Sequence, residues 1–154
     1  MEEKKVYLIG IGMGSAKTRT EHATECIKES DLLIGATRML EAVSDLYDKD
    51  SKTCFNAYLS KEIGEYLRTH DFKKAAILMS GDIGFYSGAK KLVSELSDFH
   101  VELVPGITSM VYLASRLRMS WEDICFDSAH GKKTNLIQRI ARHKKTFFLL
   151  DGEK

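Results

Sequence analysis

The chain has 154 residues, of which 44% are hydrophobic and 29% are charged, and its formal net charge is +1. This composition predicts one domain or slightly more around a substantial hydrophobic core, and it argues against intrinsic disorder. The near-neutral charge gives no support to a nucleic-acid or membrane-surface partner, and without an apolar stretch of about 18 residues no transmembrane helix is expected.

Short apolar runs and amphipathic stretches alternate along the chain. We predict strands at residues 6–9, 32–35, 53–56, 75–79, 101–104, 124–126 and 146–150. Helices are predicted at residues 20–30, 37–46, 60–67, 86–96, 109–117 and 136–142. Because nearly continuous apolar strands are buried on both faces, the alternation predicts an α/β fold with a mostly parallel sheet and flanking helices.

The three cysteines are Cys26, Cys54 and Cys125. Their odd number and wide spacing predict buried or incidental thiols in a reducing cytosol, so we expect a cytoplasmic protein. No histidine stands at ligand spacing from a cysteine, and we therefore expect no metal site.

Three of the predicted strands end in loops of small residues, at positions 10–14, 80–84 and 105–109. The carboxyl ends of parallel strands meet at one edge of a sheet, where open α/β folds bind their ligands. Glycines at this edge allow the backbone to approach a ligand closely. A tight turn explains any one of these loops, but the three together predict a ligand cleft.

A phosphate-binding P-loop is the first interpretation of the opening loop. The motif would end at Lys17-Thr18, and it would need glycines at the two positions where Ile11 and Ala16 stand. Without these glycines the backbone amides are not arranged to surround a phosphate. The sequence therefore argues against a P-loop.

A dinucleotide-binding fingerprint is the second interpretation of the same loop. Gly10 and Gly12 match the pattern GxGxxG, but Ser15 replaces the third glycine. The acidic residue that would bind the ribose is Asp31, which precedes the second strand instead of following it. A nicotinamide-dependent oxidoreductase thus remains a weaker alternative.

The third interpretation uses all three loops. Residues 10–15 with Thr20 resemble the GxGxGxxxxxT opening of the tetrapyrrole (corrin and porphyrin) methyltransferases. Residues 80–87 are similar to the GDP-type loop of that family, and residues 104–109 are similar to its PGxxS segment. The resemblance spans residues 6–152, nearly the whole chain.

The chain departs from the family pattern at three positions where proline is usual. Met13, Ala16 and Ile83 stand there. Because proline restrains φ, its replacement predicts more mobile loops.

Within the family, residues 34–40 and 128–131 most resemble the branch that methylates precorrin-6Y or cobalt-precorrin-7 at C5 in cobalamin synthesis. The resemblance implies C-methylation of a precorrin or cobalt-precorrin substrate with S-adenosyl-L-methionine as cofactor. It also implies a homodimer, and it leaves open a separate partner that methylates C15 with decarboxylation.

The family likeness also implies a set of cofactor-binding residues. These are Met13, Ser80, Gly81, Asp82, Phe85, Thr108, Ser109 and Asp151. Asp82 has a structural alternative as the cap of the following helix.

No catalytic residue is assigned, because methyl transfer from an activated sulfonium requires alignment more than acid-base groups. His130 is the candidate for a base that removes a proton after transfer, with a simple turn residue as the alternative. Arg38 and Arg116 are candidates for binding substrate carboxylates, although an arginine in either position is more often an ordinary surface charge.

We expect residues 1–118 to form an N-terminal α/β domain and residues 119–154 to begin a second, incomplete α/β domain, with residues 119–123 as the hinge. Members of the family continue through most of a second domain, so the chain resembles a fragment or a shortened member. A non-catalytic small-molecule-binding domain of the same fold is therefore the alternative from another functional class.

Overall fold

The computed structural model describes residues 4–48, 50–129 and 135–150. The chain divides into two compact units, Met1–Ser109 and Met110–Lys154. The boundary that we expect after residue 118 stays a prediction. None of the described helices is both long and apolar enough to cross a membrane.

A five-stranded sheet forms the centre of the first unit. Its strands are β1 (Lys5–Gly10), β2 (Leu32–Gly35), β3 (Thr53–Asn56), β4 (Lys74–Met79) and β5 (His100–Val104). Their order is β3-β2-β4-β1-β5, and every neighbouring pair is parallel. The predicted parallel α/β sheet is confirmed, and all five carboxyl ends lie at one edge.

The α-helices in the described part of the chain are α1 (Glu21–Glu29), α2 (Thr37–Ala42), α3 (Ser60–Thr69), α4 (Ala89–Glu95), α5 (Ser109–Arg116) and α6 (Leu136–Arg142). Two are shorter than predicted by four residues. The helix predicted over 37–46 ends at Ala42, where the Ser44 hydroxyl donates to the Glu41 carbonyl and a turn of 3-10 helix follows. The helix predicted over 86–96 begins only at Ala89, because the preceding residues form a tight turn.

Successive residues of the central strands pack on opposite faces of the sheet. On one face Leu8, Ile34 and Ile77 join a core cluster with residues of α3 and α4. On the other face Ile9 and Leu33 join a cluster with residues of α1 and α2. Both faces are covered by helices, which explains why these strands are apolar without interruption.

The described part of the second unit contains a two-stranded parallel sheet. Strand β6 (Cys125–Ser128) pairs with β7 (Thr146–Leu149), and α6 lies between them in the sequence. The side chain of Asn135 caps α6 by accepting a hydrogen bond of 3.1 Å from the amide of Gln138. A strand, a helix and a parallel strand therefore follow one another, as the sequence predicts.

An ion pair in the first unit connects the segment after the opening loop to the end of α2. The Arg19 guanidinium donates to both carboxylate oxygens of Asp45, at 3.2 and 2.6 Å, and to the Ala42 carbonyl at 3.3 Å. Only 4% of the Arg19 side chain is exposed. The guanidinium holds the pKa of Asp45 below its usual value.

We expect Asp45→Asn to lower the free energy of unfolding by about 1–2 kcal/mol near neutral pH, because it leaves a buried cation without its anion while Asp45 itself is half-exposed. A carboxyl whose folded pKa is depressed stabilises above its unfolded pKa, roughly 3.9, and loses that contribution as the pH falls through the lower folded value. The stability difference from the wild type should therefore shrink below roughly pH 4. Thermal unfolding at a series of pH values measures this stability difference. Glu65→Gln on α3 is the control for the loss of one exposed carboxylate. A stability difference that does not change with pH would contradict the ion pair between Arg19 and Asp45.

Candidate functional site

The loops after β1 and β4 are joined at the carboxyl edge of the sheet. The Gly12 amide donates to the Gly81 carbonyl at 3.1 Å, and the Gly81 amide donates to the Gly12 carbonyl at 2.9 Å. The amide of Ile11 donates to the Met79 carbonyl at 2.9 Å. Gly12 and Gly81 have φ angles of 70° and 68°, a region that glycine adopts without strain. The two loops are thus held in a fixed register.

Asp82 connects the second of these loops to the loop after β5. One carboxylate oxygen accepts a hydrogen bond of 2.9 Å from the Gly106 amide, and the other accepts one of 2.9 Å from the Gly84 amide. Bonds of this kind are strengthened by the negative charge of the acceptor. The interpretation of Asp82 as a helix cap is wrong, because α4 begins at Ala89 and has Gly88 as its N-cap.

The three loops meet where only glycine fits. A β-carbon on Gly106 would lie 2.3 Å from the Gly81 carbonyl oxygen and 2.5 Å from that of Gly10. A β-carbon on Gly10 would lie 2.6 Å from the same oxygen of Gly81. The glycines therefore allow three backbones to pack directly against each other.

The opening loop is closed by a hydroxyl that the sequence analysis does not identify. Thr18, only 7% exposed, accepts a hydrogen bond of 2.9 Å from the Met13 amide and donates one of 3.1 Å to the Ser15 carbonyl. Thr20, the threonine of the family pattern, instead caps α1 by accepting 3.1 Å from the Ala23 amide. The GxGxGxxxxxT spacing indicates Thr20, and nothing in the sequence distinguishes the buried hydroxyl of Thr18.

Two clefts open at this edge of the first unit. The first, which we call the first-loop cleft, has a volume of about 390 Å³. It is lined by Met13 and Ser80 from the predicted set, together with Arg38, Glu41 and neighbouring residues. The exposed Arg38 thus borders a cleft, as a substrate-binding arginine would.

The second cleft, the second-loop cleft, has a volume of about 280 Å³ and lies towards β2 and α3. Phe85 and Ser80 from the predicted set line it, and so do Tyr58 and Tyr86. Ser80 is therefore common to both clefts.

The backbone of Tyr86 is in the left-handed region, with a φ of 49°. For a bulky residue this conformation costs about 1–2 kcal/mol. The Ser87 hydroxyl fixes the turn, because it donates to the Ile83 carbonyl and accepts from the Ala89 amide at 3.2 Å. The ring of Phe85 packs edge-on to that of Tyr86, with centroids 5.0 Å apart.

The structure brings some of the predicted cofactor residues together around Gly81. A β-carbon built on Gly81 would lie 3.7 Å from the Ile107 carbonyl oxygen, 3.7 Å from the Thr108 Cα and 3.8 Å from the Met13 Cε. Ser109 begins α5 one residue further on. These are ordinary van der Waals separations, so the first and third loops close around Gly81 without a clash.

The remaining candidates belong to the second unit or lie outside the described residues. Arg116 is exposed at the end of α5, in the second unit. Asp151 and His130 lie outside the described residues. The three cysteines are free thiols. Within residues 4–48, 50–129 and 135–150 no group of three or more His, Cys, Asp or Glu side chains could hold a metal ion.

Asp31, the acid considered for a dinucleotide ribose, lies at the opposite edge of the sheet. Its carboxylate accepts hydrogen bonds from the amides of Lys73 at 3.1 Å and Lys74 at 2.7 Å, next to the amino ends of β2 and β4. An acid in this position does not border the ligand edge.

A parallel sheet with backbone-built loops at its carboxyl edge defines an α/β ligand-binding domain. The family model of the Tetrapyrrole (Corrin/Porphyrin) Methylases matches residues 5–154. A probable cobalt-precorrin-7 C(5)-methyltransferase of Methanocaldococcus jannaschii is 33% identical over 97% of this chain and 72% of its own length. The chain therefore belongs to the tetrapyrrole (corrin/porphyrin) methylases, a family of methyltransferases.

Solved structures share the fold. A uroporphyrin-III C-methyl transferase of Thermus thermophilus, solved with S-adenosyl homocysteine, has a TM-score of 0.71 and 25% identity over 94% of this chain and 69% of its own. A precorrin-6Y methylase of Archaeoglobus fulgidus has a TM-score of 0.67 and 20% identity over 82% of this chain. The matched part is 64% of that methylase, so this chain spans less than two thirds of it.

We expect Gly106→Ala to lower the free energy of unfolding by about 1–3 kcal/mol or more, because the new methyl group would overlap two backbone oxygens. Gly88→Ala is the matched control, since its β-carbon would meet only the Met79 Cε at 3.7 Å. Its φ of −74° suits alanine. Urea unfolding of both variants measures the effect, and equal stability would contradict the packing described.

Proposed function

We propose that the chain takes part in S-adenosylmethionine-dependent methylation of a precorrin or cobalt-precorrin macrocycle at C5, in cobalamin biosynthesis. Membership of the methylase family and the likeness to the Methanocaldococcus jannaschii relative support this assignment. The observation that carries it is the convergence of Met13, Gly81 and Thr108, drawn from the three family loops, at one point of the carboxyl edge of the sheet.

The residues around Gly81 suit the proposed cofactor. When bound, S-adenosylmethionine supplies a methyl group on a positively charged sulfur, already activated for transfer. The atoms nearest to Gly81 belong to the Ile107 carbonyl, Thr108 and the Met13 side chain, which are neutral groups that tolerate a neighbouring cation. We assign the cofactor contacts to Met13, Ser80, Gly81, Asp82, Phe85, Thr108, Ser109 and Asp151.

The work of this chain is then to align two reactants and to exclude water, which needs no nucleophilic side chain. The Asp82 carboxylate keeps the second and third loops in register, and the Thr18 hydroxyl does the same within the first loop. Arg38, at the border of the first-loop cleft, is suited to a carboxylate of the macrocycle. A proton-accepting role for His130, the homodimer, the cytoplasmic location and a C15-methylating partner stay predictions.

The direct test is methyl transfer. The purified chain is incubated with precorrin-6Y or cobalt-precorrin-7 and with S-adenosylmethionine whose methyl carbon is ¹³C. We expect the macrocycle to gain one labelled methyl group at C5, read by mass spectrometry and carbon NMR. Binding of S-adenosylhomocysteine without transfer would indicate a non-catalytic binding domain, and a label at another carbon would contradict the C5 assignment.

Asp82→Ala tests the site itself. We expect the Kd for S-adenosylhomocysteine to rise by about tenfold or more, because the amides of Gly84 and Gly106 lose a charged acceptor and the loops lose their register. Calorimetric titration measures the Kd.

Asp31→Ala is a matched control for this variant. Asp31 also accepts hydrogen bonds from two backbone amides, but at the amino edge of the sheet. It should lower stability similarly and leave the Kd unchanged. Wild-type affinity in Asp82→Ala, or an equal loss in Asp31→Ala, would refute the assigned role.

A further inference from the structure

Two tyrosines that are not among the assigned cofactor contacts lie at the rim of the second-loop cleft. Tyr58 is 77% exposed and Tyr86 is 49% exposed, and both line the cleft with Phe85. Tyr58 lies in the connection between β3 and α3, whereas Tyr86 lies in the loop after β4. Two separate segments therefore present aromatic rings to one small space.

The backbone of Tyr86 adopts a conformation that tyrosine disfavours. Its left-handed φ suits glycine or asparagine far better than tyrosine. The hydrogen bonds of Ser87 to Ile83 and Ala89 on either side of Tyr86 fix the turn. Strain that the surroundings maintain at the rim of a cleft points to a functional role for that side chain.

The size and lining of the cleft limit what it accepts. Its volume of about 280 Å³ is just under the range of roughly 300–1,000 Å³ for pockets that bury a whole drug-sized ligand. The deeper wall is apolar and includes Met39, Ile63 and Leu92. One flat ring system of a larger ligand fits this description, and a complete macrocycle does not.

The sheet order separates this cleft from the third loop. The two outermost strands of the sheet are β5 and β3. Thr108 follows β5, whereas Tyr58 follows β3. Ser80 and Phe85, which we assign to the cofactor, line the side of the cleft next to β4. A cofactor that also contacts Gly81 and Thr108 extends from there towards β5 and away from Tyr58. The ring that enters the second-loop cleft would then come from the other reactant.

We propose that the second-loop cleft binds one flat, conjugated ring of the methyl acceptor, and that Tyr58 and Tyr86 determine specificity for it by stacking. The inference rests on the proposed function, because it takes the acceptor to be a tetrapyrrole. Aromatic stacking suits such a ring, since its faces are apolar and its π-system pairs with those of the two tyrosines.

The test uses uroporphyrin III as the tetrapyrrole probe and S-adenosylhomocysteine as the cofactor probe, each titrated into the purified chain. Tyr58→Ala removes one ring. Tyr86→Gly removes the other and relieves the left-handed strain, so it should not lower the melting temperature. Tyr58→Phe and Tyr86→Phe keep the rings and serve as matched controls.

We expect Tyr58→Ala and Tyr86→Gly each to raise the Kd for uroporphyrin III by up to about tenfold. Both Phe variants should bind it like the wild type, and the Kd for S-adenosylhomocysteine should not change. Wild-type uroporphyrin affinity in both ring-deleted variants would overturn the proposal, as would a wild-type chain that binds only the cofactor probe. A selective loss of S-adenosylhomocysteine binding would overturn it too, by placing the adenine in the cleft. A wild-type chain that binds neither probe would contradict the proposed function itself.

Discussion

Direct backbone packing of three loops is the constraint on which the site depends. Gly10, Gly81 and Gly106 come so close that no β-carbon fits on Gly10 or Gly106. The Asp82 carboxylate holds the third loop against the second through the Gly106 amide. Because backbone groups form most of this junction, its shape depends little on side-chain rotamers, which suits a site that must align two reactants.

The sheet supplies the platform for this junction. The central strands β1 and β4 are buried on both faces by two separate core clusters, so their carboxyl ends are fixed relative to each other. The loops that leave these two strands are also the ones joined by the hydrogen bonds between Gly12 and Gly81. Packing of the core thus determines the position of the first two loops, and Asp82 adds the third.

The sequence predicts the strands of the sheet well and the conformation of the loops less well. Runs such as residues 75–79 predict buried strands because every side chain is apolar, and the parallel order follows from alternation with helices. The prediction places the start of α4 at residue 86, whereas the Ser87 hydroxyl forms a turn there and the helix begins at Ala89. The strain at Tyr86 depends on that turn, and no periodic pattern reveals it.

The role of Asp82 shows why the site was only partly predictable. Its place in a GDP-type loop indicates that it is important, but the two amides that it binds come from positions 84 and 106. The second of these contacts depends on the arrangement of strands in the sheet. Thr18 is similar, because its bonds to Met13 and Ser15 exist only once the first loop has folded back.

The central claim is that this glycine-built edge binds an S-adenosyl group and not a dinucleotide. Calorimetric titration of the unmodified chain with S-adenosylhomocysteine, and separately with NAD, tests it most directly. We predict saturable binding of S-adenosylhomocysteine and none of NAD, in keeping with the position of Asp31 at the opposite edge of the sheet. Binding of NAD, or of neither ligand, would contradict the account.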